Sequence, residues 1–199
     1  MSDADLKPRE AAIPRMRALK LATQSTHQTV DDAIMAANTF ADLDRYAGFL
    51  RMQLALHGDV AALYQDHALA QIVPDLAERL RLLQVQQDLA DLGLSADPQP
   101  AYFDAASTWS LPQALGWLYV VEGSNLGAAV LLKLARKLDL SVEFGARHLA
   151  PADGGRGRHW KQFTAALEAV QMSPEDENQM QSSAKEAFAR VHHWIRLYL

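Results

Sequence analysis

The chain contains no cysteine, and that absence removes several chemistries at once. A disulfide scaffold, cysteine-ligated zinc, an iron–sulfur cluster and any other thiolate-bound metal all need sulfur that this sequence does not supply. A basic excess is missing too. With 19 Lys and Arg against 24 Asp and Glu, the formal charge is -5, which argues against general nucleic-acid binding, where cations must neutralise phosphates. The N-terminal MSDADLKPREAAIPRM has no apolar core of signal-peptide length. No uninterrupted apolar run is long enough to span a bilayer, so no membrane insertion is expected and the chain reads as soluble and cytoplasmic. Alternating Val/Ile/Thr-rich runs are lacking, which leaves no sheet pattern. HExxH, GxSxG, a phosphate-binding loop and a Rossmann glycine signature are all absent, and with them the common hydrolase and nucleotide chemistries.

What remains is an apolar, helical pattern. At 199 residues with 49% apolar and 22% charged side chains, the chain reads as a single domain with a real core, residues 1–199, of which about 1–12 form a flexible N-terminal segment. Pro14 opens a helix to about Ala37, and Asp42 caps a second whose surface includes Leu43, Tyr46, Phe49, Leu50, Leu54, Leu56, Val60 and Leu63. A third is expected from about Pro74 to Leu92, stopped by Gly93. Residues 93–109 form a polar, proline-containing connection. Ser110 and Gln113, with Pro112 between them, begin a helix reaching about Leu138. Residues 139–158 read as loop, and helices follow over about 158–171 and 174–198. The last is opened by Ser173–Pro174, with Glu175, Asp176 and Glu177 placed to suit the helix dipole. There is no internal repeat or domain linker. The fold class is all-α.

Two segments carry candidate chemistry. In KLATQSTHQTVD, Lys20 lies seven residues before His27 and Asp31 four after it. At ~100° per residue, Lys20 falls about 20° from the His27 direction, and Thr23 and Asp31 about 40° to either side. A solitary histidine is more often a surface or hydrogen-bonded residue than a ligand. Here the neighbours suit ligation. Asp31 is placed to fix the ring through the nitrogen that does not bind metal, and Lys20 to meet an anionic group at a cofactor's edge. The competing reading of Lys20 and Asp31 is two solvated charges on a helix rim. The other histidines are less suggestive. His192 and His193 point ~100° apart on a helix, and His57, His67, His148 and His159 lack HxxxH or HxH partners.

The second segment, LYVVEGSNLGAAVLLK, is apolar yet places Gly123 and Gly127 one turn apart. Glycine inside a helix costs ~1 kcal/mol relative to alanine. Tyr119, Gly123 and Gly127 are spaced by four, flanked by Leu126 and Val130, so a phenol, bare backbone and aliphatic groups share one side. Close helix–helix packing is the alternative use of such small residues. A flat ligand passing over the backbone is the other. Paired with His27, these residues read as two walls of a haem slot, with no second strong axial ligand on the glycine wall and therefore an open site for oxygen.

Together the two segments resemble those of the bacterial haem oxygenases. KLATQSTHQTVD is similar to that family's proximal helix and LYVVEGSNLGAAVLLK to its kinked distal helix, while FGARHLA (144–150) and HWKQF (159–163) are similar to later segments. The resemblance implies a single-domain helical fold with haem between the two helices. It implies that His27 is the metal ligand, and that Gly123, Ser124 and Gly127 form the catalytic face. Around the haem would stand Lys20, Thr23, Asp31, Tyr119, Leu126, Val130 and Lys161. Lys20 and Tyr119 would hold one propionate and Lys161 is a candidate for the other, which points to biliverdin IXα. Ser124 stands where animal members have an aspartate. The implied reaction consumes O2 and electrons from an external reductase or ferredoxin, since no flavin or nicotinamide motif is present. It converts haem to biliverdin, carbon monoxide and ferrous iron, serving iron acquisition. The expected protein is a monomer. The alternatives are a non-catalytic haem carrier using the same slot, and an interaction module whose glycines only pack helices.

Overall fold

The computed structural model describes residues 13–97, 99–104 and 108–199; the expected N-terminal flexible segment lies outside them. Eight α-helices follow one another: α1 (Arg15–Ala36), α2 (Leu43–Tyr64), α3 (His67–Ala70), α4 (Leu76–Arg79), α5 (Leu82–Asp91), α6 (Leu111–Ala135), α7 (Arg156–Ala169) and α8 (Pro174–Tyr198). Among the described residues there is no strand, only a tight turn bridging Ser141 to Phe144 and Gly145. The all-α expectation holds.

Local signals set most boundaries. The Asp42 carboxylate accepts from the Arg45 N–H at 2.8 Å, the Ser110 hydroxyl caps α6 through the Gln113 N–H, and Ser173 and Asp176 form a reciprocal capping box on α8. These contacts satisfy amide groups that a first helical turn leaves without partners. Two expectations fail. The third helix is not continuous from Pro74 to Leu92 but breaks at Leu80, which is extended. The cause is Arg79, fully buried, whose guanidinium turns inward to the Pro74 carbonyl and to Glu122. The short α3 was also not anticipated; Asp66 caps it by accepting from Ala68 and Leu69. Gly93 does end α5's segment in the left-handed region, at φ 69°, where glycine carries no Cβ penalty.

The core gathers Tyr46, Phe49, Tyr64, Trp117 and Phe163 among aliphatic side chains from every long helix. Helix α8 is the common support, packing on α6, α1 and α2. Two glycines permit that closeness. A Cβ at Gly116 would strike the Met180 carbonyl of α8, and one at Gly48 the Tyr198 carbonyl. Arg15 fastens the start of α1 to Glu177 (2.6 Å) and to the carbonyls of Leu167 and Val170. By length and composition, Leu111–Leu138 is long and apolar enough to cross a membrane, an 18-residue window of it reaching a mean hydropathy of 1.3, although Glu122 and Lys133 interrupt its apolar run. Half of that window is buried inside this bundle, as befits a core helix.

Candidate functional site

Helix α6 is apolar on all sides, but the bundle covers only its first half. From Pro112 to Glu122 nearly every side chain is buried, whereas from Gly123 to Leu131 only Ala128 is. Leu126 is left 41% exposed and Val130 63% exposed. The glycines sit in this uncovered half. A Cβ built on Gly127 would meet nothing within 4 Å, and one on Gly123 only the rim of the Trp160 ring at 3.8 Å, an ordinary contact. Packing therefore explains Gly48 and Gly116 but not Gly123 or Gly127. Their bare backbone faces open space beside exposed aliphatic groups, a surface suited to the close approach of a flat apolar ligand. The Ser124 hydroxyl donates to the Val121 carbonyl at 2.7 Å and so bonds to its own helix.

Helix α1 supplies the other chemistry. The His27 side chain is 60% exposed, and its Nδ1 lies 3.0 Å from an Asp31 carboxylate oxygen. Phe188 of α8 meets the ring edge-on, with centroids 5.6 Å apart. This arrangement engages Nδ1 and leaves Nε2 for a metal, the division of labour common to ligating histidines. Thr23 is buried, unlike its neighbours on that face. Its hydroxyl donates to the Leu19 carbonyl, and it stands beside the Tyr119 phenol. Burial raises the Tyr119 pKa, opposed by Thr23, so near neutrality Tyr119 is an un-ionised phenol.

Beside this junction lies a cleft of about 490 Å³, within the usual size range of small-molecule and cofactor sites. Met16, Arg17 and Lys20 line it from α1, Tyr119 from α6, and Trp160, Thr164, Ala165 and Glu168 from α7. Lys20 and Tyr119 thus share one cleft although 99 residues separate them in sequence. Lys161 is exposed on α7 but does not line it. Trp160, its neighbour, does, and also lies against Tyr119 with centroids 5.8 Å apart. Sequence reasoning named Lys161 and passed over Trp160 and Phe188. A bulky aromatic one residue from a candidate lysine was the available signal for the first; nothing local marked the second. Glu122, next to Gly123, is buried and turned away from the uncovered surface towards Tyr64 and Arg79.

The residues present fit haem. A histidine with one ring nitrogen engaged, a wall of bare backbone and aliphatic side chains, and a lysine and a phenol at a cleft between helices match an iron-bearing, flat, apolar ligand with anionic edges.

Comparison with known proteins agrees. The family model described as heme oxygenase matches residues 15–197. The chain is 40% identical over 176 residues to heme oxygenase PigA of Pseudomonas aeruginosa, covering 88% of each protein. It is 29% identical over 154 residues to a heme oxygenase of Xanthomonas campestris pv. campestris, covering 76% of this chain and 88% of that one. Among solved structures, the NO- and CO-bound heme oxygenase of Neisseria meningitidis superposes with a TM-score of 0.84 at 40% identity, covering 94% of this chain and 92% of that one. Heme oxygenase 2 of Chlamydomonas reinhardtii, solved without heme, gives 0.71 at 16% identity over 94% and 98% of the two chains, a likeness of fold alone.

Proposed function

This chain belongs to the haem oxygenase family, whose members degrade haem, and we propose how its residues divide that work. His27 binds the iron through Nε2, and Asp31 holds the ring and its tautomer through Nδ1. Gly123 and Gly127 let the α6 backbone approach the opposite face, and Leu126 and Val130 cover it. Lys20 and Tyr119 take one propionate at the cleft mouth. Haem supplies both the oxygen-activating iron and the substrate macrocycle, which is opened to biliverdin with release of carbon monoxide and ferrous iron.

The chain's own contribution is placement and control of water. Backbone crossing the ligand at Gly123 and Gly127 excludes bulk solvent on that side, and a side chain at either position would fill the space needed. The Ser124 hydroxyl, held to Val121, keeps lone pairs with which to orient water at the rim. Its position supports a tuning role rather than proton donation by a carboxylic acid, which no residue of the uncovered Gly123–Leu131 stretch possesses. O2 and an external electron-donor protein, a reductase or ferredoxin, complete the reaction. We place the protein as a cytoplasmic monomer serving iron acquisition.

One observation carries the reading: Gly123 and Gly127 have no packing role, since a Cβ at either would meet little or nothing. That disfavours a module in which these glycines merely pack helices. The named relatives are oxygenases, which favours turnover over a non-catalytic carrier. The test begins with haem titration. One haem per chain, with a histidine-ligated spectrum that His27→Ala abolishes and a Soret band that aerobic reduction bleaches, is the expected result. A stable Soret band under those conditions would mean a carrier.

A further inference from the structure

The residue before Gly123 is a buried carboxylate, and it gathers four helices. Glu122 Oε1 accepts from the Tyr64 hydroxyl of α2 at 2.8 Å, and Oε2 accepts from Arg79 Nη1 of α4 at 2.9 Å. The Arg79 and Glu122 side chains are 0% and 1% exposed. Arg79 is fixed at a second point, donating from Nε to the Pro74 carbonyl at 2.9 Å. His159 Nδ1, on α7, lies 3.4 Å from Arg79 Nη1 and 3.9 Å from Oε2 of Glu122. Burial is the main influence on both titrating partners. It pushes the Glu122 carboxyl up, opposed by Arg79 and Tyr64, and pushes the His159 ring down.

Stability alone does not account for such a cluster. A buried ion pair loses so much hydration that apolar residues of similar volume often serve as well or better. What hydrogen bonds of fixed length and direction do supply is position. Position matters at this point of α6. Glu122 is the last buried side chain before Gly123–Gly127, five residues that bury none. The cluster also reaches Trp160 through its neighbour His159, and the Trp160 ring is what stands closest to Gly123.

We infer that Glu122 is a positioning residue: held by Tyr64 and Arg79, it fixes the height and rotation of α6 at Gly123 and, through α7, the seat of Trp160, and so sets the gap between the two haem-binding walls. This rests on the haem oxygenase reading for its consequence but not for its structural content, and the test separates the two.

The informative variant is Glu122→Met with Arg79→Met, which removes both charges while keeping bulk. Amide hydrogen exchange in the haem-free protein is read first. Exchange at 123–127 should accelerate by about tenfold or more relative to α8, with a shifted Trp160 indole resonance. With haem and carbon monoxide added, the histidine-ligated spectrum should persist while the iron–carbonyl vibration shifts. Turnover should then fall in kcat with little change in KM. Tyr64→Phe removes one hydroxyl only and should move the same amides less far, which keeps the test available if the double variant does not fold. Wild-type exchange at 123–127 together with an unmoved carbonyl vibration would overturn the inference, whatever the thermal stability. So would a uniform acceleration across all helices. Failure of the wild-type protein to form bilin would defeat the oxygenase reading while leaving the exchange result standing.

Discussion

Thr23 of α1 stands against the Tyr119 phenol of α6, and each lies one helical turn before a residue proposed to face haem on its own wall, His27 in one case and Gly123 in the other. That contact joins α1 to α6 at the edge of the cleft that Lys20 and Tyr119 line. On the proposed reading, a lysine and a phenol converging from two helices would define one seat for a propionate and so select one in-plane rotation of haem. The expected product is therefore biliverdin IXα, identified by chromatography of the isomers. Replacing Lys20 and Tyr119 together should give a mixture with His27 ligation intact. A dominant β or δ product from the wild type would refute the seating, and an α-only product from the double variant would assign it to the shape of the apolar walls.

Removing the proposed iron ligand should be nearly free for the fold. His27 is largely exposed and its polar contact is an i,i+4 pair with Asp31, so His27→Ala should cost no more than about 0.5 kcal/mol of stability. Circular dichroism should be unchanged while the histidine-ligated spectrum and turnover are lost. Asp31→Ala should retain ligation but shift the iron–histidine stretching frequency, because the partner of Nδ1 is gone. An unmoved frequency would make Asp31 a solvated acid.

Stability and binding should move in opposite directions at Gly127. With nothing within 4 Å of its Cβ position, Gly127→Ala gains helix propensity and should stabilise the haem-free protein by about 1 kcal/mol, or roughly 2–4 °C in Tm. Gly127→Leu should weaken haem binding sharply without unfolding the chain. Gly116→Ala is the control. There the Met180 carbonyl occupies the Cβ position, and overpacking should cost about 1–3 kcal/mol. Loss of stability in Gly127→Ala would mean that α6 is covered there after all.

Buried His57 sets an acid limit. Burial first, then the charges of His148 and Arg81, push its pKa down to about 3, against about 6.5 in an unfolded chain. Below pH 6.5 the unfolded state takes up a proton that the folded state refuses, so stability is lost as pH falls towards 3. This residue alone accounts for about 2 kcal/mol between neutrality and pH 5. Denaturant titrations of the wild type and His57→Gln should converge as pH falls across that window. A pH-independent difference between them would contradict the assignment.

Where chemistry is local, the sequence was enough. Asp42, Ser110 and Ser173 cap the helices their side chains announce, and the His27–Asp31 spacing of four places the ring against its carboxylate. Legibility failed where a side chain answers to distant partners. Arg79 breaks the expected third helix because its guanidinium serves Glu122, 43 residues on, and Thr23 is drawn inward by Tyr119 rather than standing on the His27 face. The segment 159–163 advertised a lysine, while the tertiary fold brings the neighbouring Trp160 into the cleft. The glycine spacing at 123 and 127 left close helix packing and an open ligand-facing wall as rival readings, and only the tertiary fold, which leaves that half of α6 uncovered, decides between them.

The central claim is that this slot converts haem rather than merely holding it. The direct measurement is a product balance on the reconstituted complex, turned over in air with a reductant and with catalase present to remove free peroxide. One biliverdin and one carbon monoxide per haem consumed, with the Soret band lost in step, is the predicted result. Haem recovered intact, or bleaching that catalase suppresses and that yields no bilin, would contradict it.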